Sequence, residues 1–250
     1  MVIGHRAIHK FMLFISIFCF GSAGLGQLLE VELMSYFSTS TVFRGALIWP
    51  GSSLMAGPGF KLFDGKLKVY GPHVYYTDYL IQGDQFETLL DVGVQYFDDS
   101  EPMVKLTSHE KDFRNQRPST LESFFRLKQK FGWRKLFSLE FSAFREMIRT
   151  HGAQIETGLK VPVLPFTSLA FDLGLGDKAM NSYLFGEGAD SGLNFGSLGL
   201  TVVIPKLPWT GVIISSVKRT WLWQDGNRNA DFVRGADIHT TFSSRWIWSF

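Results

Sequence analysis

The chain has 250 residues, of which 25 are basic and 23 acidic, giving a formal net charge of +2. This near balance excludes a surface that holds nucleic acid through net positive charge. Aromatic residues are abundant, with 24 Phe and 7 Trp, and such large side chains need either a protein core or a lipid surface to cover them.

Residues 1–26 have the features of a secretory signal peptide. Arg6 and Lys10 precede an apolar run at 11–20, and small residues follow it. The run is shorter than the roughly 20 apolar residues of a membrane-spanning helix, so a retained signal anchor is the less favoured alternative. Cleavage near Ala23 or Gly26 would remove both basic residues and Cys19, leaving 23 basic residues against 23 acidic ones and no thiol. We expect residues 27–250 to be the mature domain.

No later stretch has enough uncharged apolar residues for a transmembrane helix. Four β-prone runs follow the signal, at 28–37, 39–49, 54–63 and 66–79. The last two flank Asp64-Gly65, a dipeptide typical of a two-residue hairpin turn. Glycine and proline at 57–59 and 71–72 interrupt these strands, which predicts bulges or sharp curvature of the sheet.

Most of the remaining predicted strands alternate apolar residues with polar or charged ones. They lie at 86–97, 121–131, 137–144, 154–161, 166–175, 193–204, 210–223 and 237–250. Because strand side chains alternate between the two faces of a sheet, this pattern predicts one apolar and one polar face. Helix is the alternative for 120–148, which is rich in Leu, Glu, Lys and Arg. The strict alternation favours strands there.

The final strand shows the alternation most clearly. Counting back from Phe250, every second residue is mostly large and apolar, including Trp248 and Trp246, while the residues between are mostly small, polar or charged. A terminal aromatic is typical of the last strand of an outer-membrane β-barrel, whose aromatic girdle marks the lipid–water boundary. Trp133 and Trp209 also lie near predicted strand ends, where they would join this interfacial belt. We expect the barrel-assembly machinery to recognise the strand that ends at Phe250.

Connection lengths alternate as in outer-membrane barrels, which have short periplasmic turns and longer extracellular loops. The longer connections are 98–119, 146–152, 176–192 and 224–236, and the shorter ones are 80–85, 132–135, 162–165 and 205–209. Asp64-Gly65 is an exception, since it places a very short turn on the side of the long loops. We predict an all-β transmembrane antiparallel barrel of about twelve strands in the outer membrane of a Gram-negative cell, with both termini in the periplasm. If the two N-terminal runs form one strand or a plug, about ten strands are expected.

Several short, glycine-rich motifs stand out along the mature chain. They are Phe43-Arg44-Gly45, Met55-Ala56-Gly57-Pro58-Gly59, Tyr70-Gly71-Pro72, Tyr96-Phe97-Asp98-Asp99, Asn181-Ser182-Tyr183-Leu184-Phe185-Gly186 and Ser191-Gly192-Leu193. With the aromatic C-terminal strand, they resemble the MltA-interacting protein (MipA/OmpV) family, although 231–235 departs from the family pattern. The resemblance implies an outer-membrane protein that scaffolds periplasmic peptidoglycan-remodelling enzymes or affects permeability and surface contact. It supplies no catalytic motif.

Charged residues on the predicted inward face suggest what fills the barrel. They are Glu87, Asp91, Glu122, Arg126, Lys128, Lys130, Glu140, Glu156 and Lys160. Opposite charges would pair across neighbouring strands inside a narrow barrel, whereas unpaired ones would line a solute-conducting lumen. Pairing is favoured because a barrel of about twelve strands is smaller than the 16–18-stranded porins that leave an open channel.

The sequence gives little support for a catalytic or metal-binding site. His239, Ser243 and an inward acid such as Glu140 could form a Ser-His-acid hydrolase, but serines facing a polar lumen are expected in any case. The sequence holds no nucleophile elbow and no metal-binding motif, and the acidic group at 98–101 is expected to be solvated. We therefore predict no catalytic, cofactor or metal site. The expected function is that of a scaffold in outer-membrane lipid without nucleic-acid partners, and a small-solute channel is the alternative.

Overall fold

The structure is a computed structural model, and it describes residues 29–49, 51–97, 104–105, 119–132, 135–207, 211–233 and 237–249. The predicted signal peptide, the acidic group at 98–101, Trp133, Trp209 and Phe250 lie outside these residues. Within them, no helix is long and apolar enough to cross a membrane.

Fifteen strands and two short helices make up the described part of the chain. The strands are β1 Leu29–Ser38, β2 Thr41–Phe43, β3 Ala46–Trp49, β4 Ser53–Leu62, β5 Leu67–Tyr70, β6 His73–Gln82, β7 Phe86–Phe97, β8 Val104–Lys105, β9 Thr120–Phe131, β10 Phe137–Glu146, β11 Ala153–Leu164, β12 Thr167–Gly176, β13 Gly192–Leu207, β14 Gly211–Leu222 and β15 Ile238–Ser249. The helices are α1 Lys178–Phe185 and α2 Asp225–Asn229.

Twelve of the strands close into one antiparallel barrel. The order is β1-β15-β14-β13-β12-β11-β10-β9-β7-β6-β5-β4, and β4 pairs back to β1. On β1, Glu32 lies opposite both Ser249 of β15 and Gly59 of β4, so the first strand joins the two sides of the sheet. Closure removes the free edges of an open sheet, which lipid could not satisfy with hydrogen bonds. The predicted fold class and the count of about twelve strands are confirmed, and the periplasmic position of the termini stays a prediction.

Two strand assignments were wrong, and their effects on the count cancel. The predicted strand at 39–49 is not in the barrel, because β2 and β3 form a separate two-stranded sheet. The predicted strand at 66–79 is two barrel strands, β5 and β6. The chain reverses between them at Gly71-Pro72, where Gly71 has a positive φ of 54° that a side chain would strain. Glycine and proline at 71–72 thus marked a turn rather than a bulge, whereas those at 57–59 lie within β4, which pairs with β1 without a register shift.

This correction moves the exception in the connection lengths from Asp64-Gly65 to Gly71-Pro72. With the additional strand, the turn that contains Asp64-Gly65 moves to the end of the barrel that carries the other short turns. We call this the short-turn end; its turns lie at 63–66, 83–85, 132–136, 165–166 and 208–210. The opposite, long-loop end carries the connections at 39–52, 98–119, 147–152, 177–191 and 223–237, and the short Gly71-Pro72 turn.

Some boundaries also differ. The predicted turn at 162–165 is wrong in its extent, since β11 continues to Leu164 and only Pro165-Phe166 turns. Pro162 is accommodated at a shift in the β11–β12 register, where the ladder is irregular. The predicted loop at 176–192 contains α1, whose first turn is capped by the Asp177 carboxylate accepting from Met180 N at 2.8 Å. The helical alternative for 120–148 is wrong, because β9 and β10 pair along their length.

Side chains are arranged with polar groups inside and apolar groups outside. On β15, Ile238, Phe242 and Trp246 are 51%, 41% and 46% exposed, while His239 between them is 7% exposed. Residues buried in the lumen include Glu32, Gln95, Glu122, Ser142, Gln154, Ser197 and Thr220. A water-soluble protein has the opposite arrangement, whereas lipid covers an apolar exterior and a closed barrel satisfies the backbone. The chain is therefore an outer-membrane-type barrel, which confirms the predicted location.

Candidate functional site

A hairpin made of β2 and β3 leaves the barrel wall and crosses the lumen. Its two-residue turn, Arg44-Gly45, has φ values of 50° and 84°, as in the turns that suit a right-twisted hairpin. The base is held where Ser40 Oγ and Thr241 Oγ1 lie 2.7 Å apart. At the tip, a Cβ on Gly45 would lie only 2.6 Å from the Cβ of Phe195 on β13. The hairpin thus reaches from the β15 side of the wall to β13.

Arg44, at the tip of this hairpin, is fixed by charged groups of the opposite wall. Its Nη1 donates to Glu122 Oε1 at 2.8 Å, and its Nη2 lies 2.7 Å from Glu122 Oε2. Its Nε lies 3.1 Å from Glu156 Oε1. The side chains of Arg44 and Glu122 are only 4% and 0% exposed. The pair combines one charge-assisted hydrogen bond, from Nη1, with a close charge contact at Nη2, whose geometry is not that of a hydrogen bond. Removing Arg44 would leave the buried Glu122 without its cation.

Aromatic rings complete the cage around the guanidinium. Its carbon lies 3.8 Å from the centroid of the Phe144 ring and 4.7 Å from that of Phe43, within the range of cation–π attraction. Phe43 in turn stacks on Phe97 of β7, with centroids 4.4 Å apart and planes inclined by 11°. The hairpin tip therefore contacts β7, β9, β10, β11 and β13.

An apolar cluster, which we call the apolar lid, lies around the hairpin at the long-loop end. It consists of Ala46, Ile48, Met180, Tyr183, Leu184, Phe185, Ala189, Phe195, Leu222, Ala230 and Val233. The two long loops that contribute to it are joined by hydrogen bonds, from Phe232 N to Phe185 O at 2.8 Å and from Asp190 N to Asn227 Oδ1 at 3.0 Å. The lid therefore combines hairpin, wall and loop residues at this end of the lumen.

The other half of the lumen is polar and reached by water. Arg126 and Glu140 are 3.1 Å apart, Lys218 and Asp172 are 2.8 Å apart, and these four side chains are 32% to 43% exposed. Glu87 pairs with both Lys130 and Lys135 near the short-turn end. Side chains in the lumen are therefore buried around Arg44 and partly exposed toward the short turns, and we call the partly exposed part the wet half, or vestibule.

The predicted inward charges are mostly paired. Eight of the nine take part in ion pairs, and Lys160 does not. The prediction missed Glu32, Arg44, Lys61, Asp172 and Lys218. Arg44 was missed because its run was assigned to the barrel wall, although Arg44-Gly45 between Phe43 and Ala46 could have indicated a turn. Asp172 and Lys218 lie on predicted strands, and the alternation along those strands could have identified them as inward-facing.

The structure does not bring together the predicted hydrolase set. His239 and Ser243 are four residues apart on β15, a separation of about 13 Å along a strand. Ser243 Oγ lies 2.8 Å from Ser216 Oγ, and Glu140 is held by Arg126 and Lys128. A nucleophile, a base and an acid within hydrogen-bonding distance are therefore not formed by these residues.

A cavity of about 160 Å³ lies in the wet half of the lumen, below the Arg44 cluster. It is lined by Lys128, Ser138, Glu140, Ser142, Glu156, Thr157, Gly158, Leu159, Lys160, Ala170 and Asp172. No group of three or more His, Cys, Asp or Glu suited to a metal ion is found among the described residues.

No protein-family model matches the sequence, and no curated protein matches it. Among solved structures, the outer membrane protein OprD from Pseudomonas aeruginosa is similar with a TM-score of 0.41 and 8% identity, over 90% of this chain and 65% of OprD. This chain thus spans less than two thirds of OprD's length. A bacterial polysaccharide outer membrane secretin is similar with a TM-score of 0.43 and 6% identity, over 90% of this chain and 98% of that one. These similarities are too low to carry an argument about fold or activity.

Proposed function

We propose that this protein is an outer-membrane barrel closed to free solute flow, which serves as an interaction scaffold and has no catalytic activity of its own. The observation that supports this best is the buried contact of Arg44 with Glu122, which fixes the β2–β3 hairpin across the lumen. A scaffold needs a rigid, closed wall with surfaces exposed on both sides of the membrane, and it needs no continuous water path.

Burial changes along the lumen in the way that a closed barrel requires. Glu140 in the wet half is 35% exposed, whereas Glu122 above it is not exposed at all. A hydrated ion would have to displace both the Arg44 ion pairs and the apolar lid, at the cost of leaving buried charges unpaired.

The proposed partners are periplasmic peptidoglycan-remodelling enzymes, as the resemblance to the MipA/OmpV family implies. The proposed contact surface is the short-turn end, which we place in the periplasm. Phe166, in the turn between β11 and β12, is 64% exposed at this end.

A pair of photo-crosslinking variants tests the scaffold role in intact cells. One carries a photoreactive residue at Phe166, at the short-turn end, and the other carries it at Glu187, an exposed position at the long-loop end. We expect the first to crosslink to a peptidoglycan-remodelling enzyme identified by mass spectrometry, and the second not to. Crosslinks to such an enzyme from Glu187 alone would contradict the proposed orientation, and none from either position would contradict the scaffold role.

A small-solute channel is the second candidate, and the wet, charged half of the lumen favours it. The side chain of Lys218 is 43% exposed although it lies inside the barrel, so water enters this half. Planar-bilayer recordings separate the two functions. We expect the wild-type chain to give no discrete conductance steps, and regular steps would favour the channel.

A further inference from the structure

Lys160 differs from the other cations of the lumen. Of the inward-facing lysines and arginines that the structure describes, most have a carboxylate within 4.0 Å. Lys68 and Arg245 have none, but each lies near an aromatic ring, 5.6 Å from the centroid of Tyr75 and 5.9 Å from that of Tyr36. Lys160 has neither kind of partner among the described residues, although it lines the cavity in the wet half of the lumen.

The strand register explains why there is space in front of Lys160. It lies opposite Ser138 on β10 and Ala170 on β12. Two residues earlier on the same face, Gly158 lies between Glu140 and Asp172. Ala170 fills little volume opposite Lys160, while the Asp172 carboxylate lies where a side chain on Gly158 would be. The cavity of about 160 Å³ lies beside these residues.

The carboxylates that line this cavity already have cationic partners. Asp172 Oδ2 accepts from Lys218 Nζ at 2.8 Å and from Ser197 Oγ at 2.9 Å. Glu156 pairs with Arg44, and Glu140 pairs with Arg126 at 3.1 Å. None of these acids is thus left to neutralise Lys160, and the inside of a narrow barrel compensates an unpaired charge less well than bulk water does.

Lys128 provides a second cation at the same cavity. Its Nζ lies 3.7 Å from Glu140 Oε2, which is longer than a hydrogen bond, and an ammonium has three donors. Glu140 also has Arg126 as a closer partner. The Ser138 hydroxyl, on the strand between Lys128 and Lys160, adds a further donor to the lining. The cavity wall therefore presents the Lys160 ammonium, the Lys128 ammonium, whose ion pair with Glu140 leaves donors unused, and one hydroxyl that can bind an acceptor.

We propose that this cavity binds a small carboxylate-bearing solute that enters from the short-turn end, with one carboxylate held by Lys160 and Lys128 and by the Ser138 hydroxyl. Entry from the other end is closed by the apolar lid. The site is independent of the proposed scaffold role, since it depends on the vestibule and not on any protein partner.

Calorimetric titration of the folded full chain in detergent tests the proposal, with succinate as the probe. Succinamide, which has a similar shape but no charge, is the matched control ligand. We expect succinate to bind with a dissociation constant on the order of 1 mM and succinamide not to bind. Lys160→Gln removes the charge and keeps most of the side-chain volume, so it should weaken succinate binding about tenfold, as expected for the loss of a charge-assisted hydrogen bond.

Lys61→Gln is the control variant. Lys61 also faces the lumen, but it pairs with Glu30 and Glu32 and does not line the cavity. It should bind succinate as the wild type does. The proposal is overturned if the wild type does not bind succinate, if Lys160→Gln binds it equally well, or if both variants lose binding to the same extent, which would indicate only a general effect of net charge.

Discussion

Ser40 Oγ lies 2.7 Å from Thr241 Oγ1, although the two residues are 201 positions apart in the sequence. The contact joins the base of the β2–β3 hairpin to the last strand of the barrel. Next to it, Thr39 N donates to Phe242 O at 2.9 Å, and Phe242 N donates to Thr39 Oγ1 at 3.0 Å. The chain therefore stays attached to β15 until it turns into the lumen, which fixes where the hairpin enters.

This proximity predicts that Ser40→Cys combined with Thr241→Cys will form a disulfide on mild oxidation. The two hydroxyls are close enough for their β-carbons to approach the separation that a disulfide requires. The natural cysteine, Cys19, lies in the predicted signal peptide and would not interfere. Gel mobility and mass spectrometry with and without reductant report the bond. Ser40→Cys with Ser168→Cys, which places the second thiol on β12, should remain reduced, and a bridge in that control would contradict the position of the hairpin.

Replacing Arg44 by Met should loosen the hairpin and open the lumen. The substitution removes the charge while keeping a long side chain, so it leaves Glu122 buried without its cation, at a cost of about 3–5 kcal/mol. We expect a lower unfolding midpoint by heat-modifiable gel migration and the appearance of conductance steps in planar bilayers.

Lys218→Met is the matched control for Arg44→Met. Lys218 also pairs with a carboxylate inside the barrel, but this pair is partly exposed, so its loss should cost no more than about 1 kcal/mol. Arg44→Met combined with Glu122→Met should recover part of the lost stability, because the fully buried Glu122 charge is then gone and only the partly exposed Glu156 lacks its cation. If Arg44→Met alone were as stable as the wild type, the role of Arg44 in fixing the hairpin would be contradicted.

The alternation of apolar and polar side chains made the barrel predictable from the sequence. The topology of its N-terminal part could not be predicted in this way. The period of two in β15, from Ile238 to Ser249, gave the correct outward face because each strand obeys it independently of its neighbours. The run around Arg44 follows a different rule. Apolar and polar residues alternate poorly in this run, because its side chains contact wall and loop residues on several sides inside the lumen and never face lipid. Only pairing across 78 residues, between Arg44 and Glu122, reveals what they do.

The vestibule was predictable in part for a related reason. Inward charges could be read from the strand pattern, and their opposite signs indicated pairing. Which charge would be left over depended on which strands are neighbours and on their register. Lys160 is unpaired because it lies opposite Ser138 and Ala170 rather than an acid, and a shift of the register by two residues would place Glu140 opposite it.

Glycines on the inner wall differ in how closely the neighbouring strand approaches them, and this predicts unequal effects of added methyl groups. A Cβ on Gly93 would collide with the carbonyl oxygen of Val74 and lie 2.7 Å from Tyr75 Cα, whereas a Cβ on Gly199 would have its nearest neighbour at an ordinary 3.4 Å. Tyr75 belongs to a row of inner-wall rings, with its centroid 5.9 Å from that of Phe124. Gly93→Ala should therefore lower the free energy of unfolding by about 1–3 kcal/mol through overpacking. Gly199→Ala should leave it nearly unchanged in urea titrations of the refolded barrel, and equal effects would refute this account.

Glu146 holds the connection between β10 and β11 through its carboxylate. Its oxygens accept from Ile148 N at 2.8 Å, Arg149 N at 2.9 Å and His151 N at 2.8 Å, and also from the Thr120 hydroxyl. The Glu146 side chain is fully buried. If its carboxylate were removed, water could not readily take its place as the acceptor for these donors.

Glu146→Gln should open this connection, because the amide keeps one acceptor oxygen and turns an NH₂ group toward backbone donors. Each buried donor left unsatisfied costs about 1–3 kcal/mol. We expect trypsin to cut after Arg149 faster in the variant than in the wild type, with both barrels folded in detergent and the fragments followed by mass spectrometry. Glu187→Gln makes the same chemical change at an exposed position and should not alter the rate. Cleavage of Glu146→Gln at the wild-type rate would show that the carboxylate does not hold the connection closed.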